Sequence, residues 1–315
     1  AAAGYGKIDL FKWLLNEGCS LKERTTSGSD CVMMAAINGC LDMVKLLVKE
    51  YKCPFNTNYK GSSAIHLAAE FGHLDIVKWC SENGCSVSDV GENRETCLLL
   101  ASAEGNLELV KWLLNNGSDI SERDANYATC ICYAAESGNL ELIKFLIENG
   151  CSLQEKDCAQ ETCLLLAARR GNVDCVKWML NNGSSIEEMN VEQENCLVIA
   201  AYEGNLELIK WLLENISELS LDMRNRKKET CLLIASKHGH LELIKWLVLE
   251  KNCSLQEINK NGTCVMNAAL RKHKECIIWM LSNGSSIDEN SKIGRGTRTC
   301  ADILKNVGLY EEIKK

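Results

Sequence analysis

The fold is decided by the stretch 96–121, which reads TCLLLASAEGNLELVKWLLNNGSDIS. Its first half is an apolar run over 97–101, ended by Gly105. Its second half, 107–114, places apolar residues at the helical period and is closed by Gly117. This spacing predicts two short helices of about ten residues each, joined as a hairpin, with an extended segment between successive hairpins.

The same unit recurs along the chain. The glycine that follows the first helix returns every 33 residues at Gly6, Gly39, Gly72, Gly105, Gly138, Gly171 and Gly204. The series continues at Gly239, at Lys272 in the same slot, and at Gly308, which makes ten registers, the first and last incomplete. A period kept this strictly predicts a solenoid in which each hairpin packs on its neighbours.

Capping residues support both helices independently of the period. The position that opens the first helix always holds a residue able to accept from a free helix N–H: Asp30, Ser63, Thr96, Thr129, Thr162, Asn195, Thr230, Thr263 and Thr299. The second helix has an acidic residue in its first turn, usually followed three residues later by Lys, a spacing that allows an ion pair. Glycines that favour left-handed backbone close it at Gly18, Gly84, Gly117, Gly150, Gly183 and Gly284.

With these features the chain resembles the ankyrin-repeat proteins, most closely over 61–79, GSSAIHLAAEFGHLDIVKW. The resemblance implies an all-α fold with short β-turn fingers, an α-solenoid of stacked helix–turn–helix repeats. The family's Thr-Pro-Leu-His signature is replaced by Thr-Cys-Leu-Leu at 96–99 and 162–165. The glycine of the finger turn survives as Gly28 and Gly61. Elsewhere it is replaced, and we expect a different turn conformation, at Arg94, Tyr127, Gln160, Gln193 and Lys228.

We predict a single ankyrin-repeat solenoid over 1–315. It divides into a partial N-terminal repeat (1–24), eight full repeats (25–298) and a polar C-terminal capping repeat (299–315). Residue 1 falls inside a first helix, and half a repeat does not cover its neighbour's apolar face. We therefore expect a chain cut from a longer one, or a degenerate first repeat.

Composition excludes several classes of protein. One Pro and 46% hydrophobic residues among 315 exclude a Pro-rich linker and a disordered chain. No run of eighteen apolar residues occurs, so we expect no membrane insertion. Nineteen cysteines, an odd number, with no apparent signal peptide favour a reducing intracellular compartment, and the cytoplasm over the nucleus. The net charge of −8 disfavours nucleic acid as the general partner.

The cysteines are the strongest candidates for chemistry. Most occupy the signature's Pro slot: Cys31, Cys97, Cys130, Cys163, Cys196, Cys231, Cys264 and Cys300. Helices in adjacent repeats pack roughly 8–10 Å apart, whereas a disulfide needs Cα atoms within about 7 Å. We therefore predict that the cysteines, including those in the loop after the second helix, pack as small apolar residues rather than form a redox or metal ladder.

Other candidate sites also have structural interpretations. Pairs such as Cys130-x-Cys132 and His238-x-His240 lack a second pair at zinc-finger spacing. We predict that the tryptophans at one second-helix position pack in the inter-repeat core with the indole edge at the surface: Trp13, Trp79, Trp112, Trp178, Trp211, Trp246 and Trp279. No nucleophile–base pair or phosphate-binding loop appears, so we predict no enzyme, cofactor or metal.

The resemblance implies a protein or peptide partner on the concave face, built from finger tips and the exposed side of the first helix, on a monomeric scaffold. The variable positions of that face are Tyr59, Lys60, Glu70, Phe71, Glu92, Asn93, Glu95, Glu104, Asn126, Glu136, Arg169, Arg170, Glu192, Glu194, Tyr202, Glu203, Arg226, Lys227, Lys237, His238, Lys260 and Arg271.

Charge along the chain favours a bipolar partner. Residues 1–221 carry 18 basic and 32 acidic side chains, whereas 222–315 carry 17 basic and 11 acidic ones. We expect a segment that is basic over registers four and seven and acidic or phosphorylated near the C-terminal end. Three alternatives stay open: a binding arm of a larger enzyme or channel, a phospho-ligand or nucleic-acid reader through the C-terminal third, and a mechanical spacer.

Overall fold

The computed structural model describes residues 1–26, 28–55, 62–288, 290–293 and 296–313. The chain forms two compact units, unit 1 (Ala1–Ala159) and unit 2 (Gln160–Lys315). The predicted division into a partial repeat, eight full repeats and a cap stays a prediction.

Unit 1 is built from helices alone in its described part. They are α1 (Ile8–Asn16), α2 (Cys31–Ile37), α3 (Leu41–Lys49), α4 (Ala64–Glu70), α5 (Leu74–Glu82), α6 (Cys97–Ala103), α7 (Leu107–Asn115), α8 (Cys130–Ser137) and α9 (Leu140–Glu148). The even-numbered helices are the first helices of the hairpins, and the odd-numbered ones are the second.

Unit 2 continues the same alternation. Its helices are α10 (Cys163–Arg169), α11 (Val173–Asn181), α12 (Cys196–Glu203), α13 (Leu206–Asn215), α14 (Cys231–His238), α15 (Leu241–Leu249), α16 (Cys264–Leu270), α17 (Lys274–Ser282), α18 (Cys300–Val307) and α19 (Tyr310–Ile313). Unit 2 also has two antiparallel β-hairpins. The first, β1 (Ile258–Asn259) with β2 (Gly262–Thr263), lies between α15 and α16, and the second, β3 (Asn290–Ile293) with β4 (Gly296–Thr299), lies between α17 and α18. The predicted all-α repeat fold with short β fingers is confirmed.

First and second helices bury different amounts of surface. In α12 the six residues from Cys196 to Ala201 are all buried, because this helix lies between the first helices of neighbouring repeats. In α13 only one stripe is buried, Leu208, Ile209 and Leu212. Each fully buried Leu or Ile contributes about 1.5–3 kcal/mol, so the first helices carry most of the core.

Helix lengths differ from the prediction in one respect. The first helices have seven or eight residues rather than ten, because the capping residue and the register glycine bound them closely. In the first register, residues 2–6 form turns rather than the expected helix, although Ala2 and Ala3 are buried.

Most of the predicted caps are confirmed. The side chains of Thr96, Thr162 and Thr230 accept from the backbone N–H three residues on. Asn195, Asp30 and Thr299 cap in the same way. Thr129 and Thr263 make no such bond.

The register glycine has two physical reasons to be glycine. Its φ is positive at each described register, for example +75° at Gly72 and +81° at Gly239. In addition, a Cβ on Gly239 would lie 2.4 Å from His273 Nδ1 of the next repeat. The position of His273 holds a polar side chain in several repeats, and each one hydrogen-bonds a backbone carbonyl one repeat earlier. His273 Nε2, for example, lies 3.0 Å from Lys237 O, and the equivalent contacts are made by His73, Asn106 and Asn139. The glycine therefore leaves room for a polar tie between repeats.

The prediction that finger turns without glycine differ in conformation is wrong. Arg94, Tyr127, Gln160, Gln193 and Lys228 all have φ between +60° and +64°. They adopt the left-handed backbone that Gly28 has at φ +86°. The finger keeps its shape, and each of these residues carries the strain of a side chain in that region.

Candidate partner-binding surface

The finger face of each unit consists of its finger tips and the exposed C-terminal ends of its first helices. Backbone hydrogen bonds link three pairs of neighbouring fingers in the described part of the chain. Ala125 N donates to Asn93 O and Cys158 N to Asn126 O in unit 1, each at 2.7 Å. In unit 2, Arg226 N donates to Glu192 O at 2.8 Å. The fingers therefore hold fixed positions relative to their neighbours within a unit.

In several fingers a single Asp or Asn side chain organises the turn from within. Asp124 Oδ1 accepts from Asn126 N and Ala128 N at 2.9 and 2.8 Å. Asn225 Oδ1 accepts in the same way from Lys227 N and Glu229 N, at 3.0 and 2.9 Å. These Asx contacts close the turn and hold the left-handed residue in place.

Unit 2 contains a buried polar ladder that passes from finger to finger. Asn190 Nδ2 donates to Glu161 and Glu194, at 3.1 and 3.0 Å. Asn225 Nδ2 donates to Glu194 and Glu229, at 3.2 and 3.1 Å. Each asparagine thus bridges the carboxylate of its own finger and that of the finger before it.

A cation bonds the carboxylate at each end of this ladder, and a further asparagine pair lies beyond Glu229. Arg169 donates to Glu161, and Lys237 Nζ donates to Glu229 at 2.9 Å. Beyond Glu229 the ladder continues through Asn259 Nδ2 at 3.2 Å to Asn267. Glu161 and Glu229 are only 6% and 2% exposed, so their charges are compensated inside the protein rather than offered to solvent.

Sequence reasoning missed this ladder. It placed Glu194, Arg169 and Lys237 on the binding surface, and the structure places all three in the ladder, each half-buried. The signal was present in the spacing, since an Asn 14 residues before the register glycine accompanies a Glu 10 residues before it in both registers seven and eight.

The finger face of unit 1 is acidic around Glu70, although Arg94 is exposed at a finger tip. The pKa of Glu70 is raised, first by burial and then by the carboxylates of Glu104 and Glu95. Burial, followed by Asp124, also raises the pKa of Tyr133, with Glu95 and Glu136 adding to the effect. Glu95 and Glu104 therefore lie close enough to Glu70 to disfavour its charged form, which makes this part of the face a site of negative potential.

The finger face of unit 2 has basic residues at its tips, and two of its carboxylates are paired with cations. Glu192 is bonded by Lys227 Nζ at 3.0 Å, and this bond, with the charge of Lys227, lowers the pKa of Glu192. Glu203 lies 3.6 Å from Arg169. The acidic residues of register seven therefore already have cationic partners, whereas Arg226 and Lys260 are exposed.

An aromatic contact lies on the same face of unit 2. The rings of Tyr202 and His238 are 4.0 Å apart between centroids. Burial, together with nearby Lys237, His240 and Arg271, lowers the pKa of His238 to about 4. His238 is therefore neutral at physiological pH and packs as an aromatic group.

These fingers, hairpins and inter-repeat ties agree with the result of a comparison with family models. The model described as ankyrin repeats (3 copies) matches residues 1–91, 98–190 and 197–291. The chain belongs to the ankyrin-repeat family. Ankyrin repeats are generally protein–protein interaction modules and are typically non-enzymatic. A search of curated proteins found no match.

The ankyrin-repeat structure exposes many of the predicted surface residues. Exposed are Phe71, Glu92, Asn93, Glu104, Asn126, Arg170, Tyr202, Glu203, Arg226, Lys227, Lys260 and Arg271. Half-buried are Glu70, Glu95, Glu136, Arg169, Glu192, Glu194, Lys237 and His238. Tyr59 and Lys60 lie outside the described residues. The assignment of this set to partner binding stays a prediction.

The tryptophans of the ankyrin repeats are buried to different extents, and only Trp13 departs clearly from the predicted core packing with a surface edge. Trp79 is 6% exposed, but Trp13 is 55% exposed and the other five are half-buried. Two of these rings lie beside lysines of the preceding repeat, with Lys177 Nζ 5.3 Å from the ring centroid of Trp211 and Lys210 Nζ 5.7 Å from that of Trp246. Lys111, Lys177 and Lys210 therefore act as cation–π partners of a ring in the next repeat. The expected ion pair within a helix forms at Lys111–Glu108 and Lys245–Glu242.

Most ankyrin signature cysteines are buried, as expected of small apolar residues, and only Cys31 of that column is half-buried. No disulfide joins any of the 19 cysteines in the structure. Within the described ranges, no group of three or more His, Cys, Asp or Glu residues is placed to hold a metal ion. In the same part of the chain, none of the helices has the length and apolar character needed to cross a membrane.

Proposed function

We propose that this ankyrin-repeat chain binds a protein partner through its finger faces, and that each face selects the charge of the segment it contacts. The acidic face of unit 1 takes a basic segment, and the basic fingers of unit 2 take an acidic or phosphorylated one. The observation that carries the proposal is a contrast in ion pairing among the described residues. Glu70, Glu95 and Glu104 in unit 1 have no ion pair within the described ranges, whereas Glu192 and Glu203 in unit 2 pair with Lys227 and Arg169.

Like-charge repulsion between the carboxylates of the acidic face supports this proposal. A cationic side chain placed among Glu70, Glu95 and Glu104 relieves the like-charge contact that raises the pKa of Glu70. Exposed Phe71 and Glu92 lie on the same face, so apolar and charged contacts are offered together.

The basic fingers support the second half of the proposal. Arg226, Lys228 and Lys260 are exposed on fingers whose bases are held by the ladder. A pre-formed surface loses little conformational entropy when a partner binds. Because Glu192 and Glu203 are already paired, we restrict the basic segment of the partner to unit 1 rather than to registers four and seven.

The proposal is tested by capture of partners from source-cell extract with four forms of the chain. They are the native chain, a unit 1 variant (Glu92→Lys with Glu104→Lys), a unit 2 variant (Arg226→Glu with Lys260→Glu) and a matched control (Glu148→Lys with Glu214→Lys). The control residues are exposed in the last turns of α9 and α13, where Lys also suits the helix dipole.

We expect the control to retain the native partners. Each face variant should lose those whose binding falls with added salt. The same proteins on all four forms would contradict the proposal and favour a spacer. Binding of nucleic acid that is lost only in the unit 2 variant would instead favour the reader alternative.

A further inference from the structure

Two cysteine thiols meet within one repeat of unit 1. Cys130 begins α8, and Cys151 lies in the loop after α9, so the two ends of one helical hairpin come together. Their Sγ atoms are 3.8 Å apart. A disulfide bond is about 2.05 Å long, so a closure of less than about 2 Å forms one. Comparison of equivalent cysteines in adjacent repeats overlooks this pair, because both of its members belong to a single repeat.

The same two positions recur in five other repeats in two forms, Cys with Cys and Cys with Ser. Both positions hold Cys in Cys31 with Cys53 and in Cys231 with Cys253. The second position holds Ser in Cys97 with Ser118, Cys163 with Ser184 and Cys264 with Ser285. In those three repeats the Ser hydroxyl oxygen is buried and has no hydrogen-bond partner. The slot is therefore enclosed and offers no protein partner to a hydroxyl, which suits a thiol better.

The loop thiol of each dithiol is within reach of a small reagent. Cys53, Cys151 and Cys253 are half-exposed, whereas Cys130 and Cys231 are fully buried. Cys31 and Cys53 also line a cavity of about 190 Å³ together with Pro54. The loop cysteine is thus the entry point, and the helix cysteine is the resolving group.

We propose that Cys130 and Cys151 are a redox-sensitive dithiol that closes to a disulfide within its repeat, with Cys31–Cys53 and Cys231–Cys253 as the equivalent sites. This modification does not depend on the proposed partner binding. A hydrogen bond with Cys151, followed by burial, raises the pKa of Cys130, which favours its protonated form while both thiols are present.

The oxidant is a small disulfide of the glutathione class. The Cys151 thiolate attacks one sulfur of that reagent, forms a mixed disulfide and releases one thiol. Cys130 then loses its proton to water, and its sulfur attacks the Cys151 sulfur and releases the second thiol. Two protein thiols are oxidised to one disulfide, and one reagent disulfide is reduced to two thiols. The mixed-disulfide step also removes the Cys151 thiol whose hydrogen bond helps to hold the proton on Cys130.

The product ties the start of a first helix to the loop behind the second helix of the same hairpin. Such a cross-link restricts the unfolded chain, so we expect a higher Tm for the oxidised protein and reversal by a dithiol reductant.

The test treats the folded chain with oxidised glutathione, blocks remaining thiols by alkylation and maps the bonds by mass spectrometry without reduction. We expect a peptide linking Cys130 to Cys151, lighter by about 2 Da than its reduced parts. Cys97, whose partner position holds Ser118, should remain a free thiol during oxidation and be found alkylated in the map.

Two variants sharpen the test. Cys151→Ser reproduces the residue found naturally at the same position in three repeats, so it should fold, lose the link and lose the rise in Tm. Ser118→Cys should gain a bond to Cys97. Alkylated Cys130 beside glutathionylated or unreacted Cys151 in the native chain would overturn the proposal, and so would bonds that join cysteines of different repeats. If the Ser118→Cys chain does not fold by circular dichroism, the native map and Cys151→Ser decide alone.

Discussion

Unit 1 and unit 2 use the same finger position in opposite ways. Ten residues before the register glycine, unit 1 has Glu95 and unit 2 has Glu229. Glu229 is 2% exposed and accepts from Asn225, Lys237 and Asn259. Glu95 is half-buried and accepts from the backbone and side chain of Asn93 in its own finger. One carboxylate ties three elements together, and the other contributes to a charged surface.

The difference shows that the neighbours of a carboxylate decide its role. In unit 2 an asparagine and a lysine hydrogen-bond Glu229, and these contacts offset the desolvation cost of burying its charge. In unit 1 the groups near Glu95 include other carboxylates, and their repulsion reaches Glu70. The backbone of the finger is alike in both cases, with φ of +63° at Arg94 and +60° at Lys228.

The largest expected effect comes from removing each carboxylate in turn. Glu229→Ala leaves Lys237 without its partner and Asn225 and Asn259 without an acceptor, so we expect a loss of about 3 kcal/mol in the free energy of unfolding. Glu95→Ala, at the matched position, should cost less than about 1 kcal/mol. Urea unfolding followed by circular dichroism measures both, and equal losses would remove the distinction between the units.

A reciprocal exchange tests the residue that organises the finger. Asn225→Asp removes the two donated bonds and places a third carboxylate between Glu194 and Glu229, so we expect a loss of about 2 kcal/mol at neutral pH.

The matched change in unit 1, Asp124→Asn, keeps an oxygen for the turn and leaves an amide facing the Tyr133 hydroxyl. We expect it to cost less than about 1 kcal/mol. Thermal melts of the two variants compare them directly, and a larger loss for Asp124→Asn would contradict the assignment of the ladder to unit 2.

The strained finger turns should respond equally in both units. Glycine adopts left-handed backbone without the Cβ penalty, although it also gains more freedom in the unfolded chain. We therefore expect Arg94→Gly and Lys228→Gly each to raise the free energy of unfolding by about 0.5 kcal/mol. A loss of stability at either position would show that its side chain has a structural role beyond the turn.

The smallest expected effect is the pH response of Glu70. Its raised pKa means that the folded state favours the protonated form, so this contribution to stability is present below the ordinary pKa of glutamate and is lost as pH rises through the folded-state value. Glu70→Gln should therefore raise Tm slightly at pH 7, and the gain should vanish near pH 4. Tm values measured across this range test the sign, and a gain that grows at low pH would contradict it.

The sequence predicted the parts of the fold that depend on local patterns. The 33-residue period, the caps at Thr96 and Asn195, and the closing glycines such as Gly117 were all readable, because each reports a backbone requirement within a few residues. The left-handed conformation of Lys228 could not be predicted from the sequence, since the finger's own hydrogen bonds hold it in a region that its side chain disfavours.

The site was predictable only in outline. Variable positions indicated a face, but burial of Glu161 and Glu229 depends on asparagines that reach from the next finger, a contact about 30 residues away in sequence. Charge counting treated Glu192 and Glu203 as a free acidic patch because it does not show which side chains pair.

The most direct test of the account is a titration of the chain, labelled with ¹³C at the glutamate carboxyl carbons, with an arginine-rich peptide, followed by NMR. The account predicts that the signals of Glu70, Glu92 and Glu104 move with the peptide, while buried Glu161 and Glu229 do not, and that an acidic peptide of equal length moves none of the unit 1 signals. Equal movement of the exposed second-helix residues Glu148 and Glu214, or movement of Glu229, would contradict a selective acidic face on unit 1.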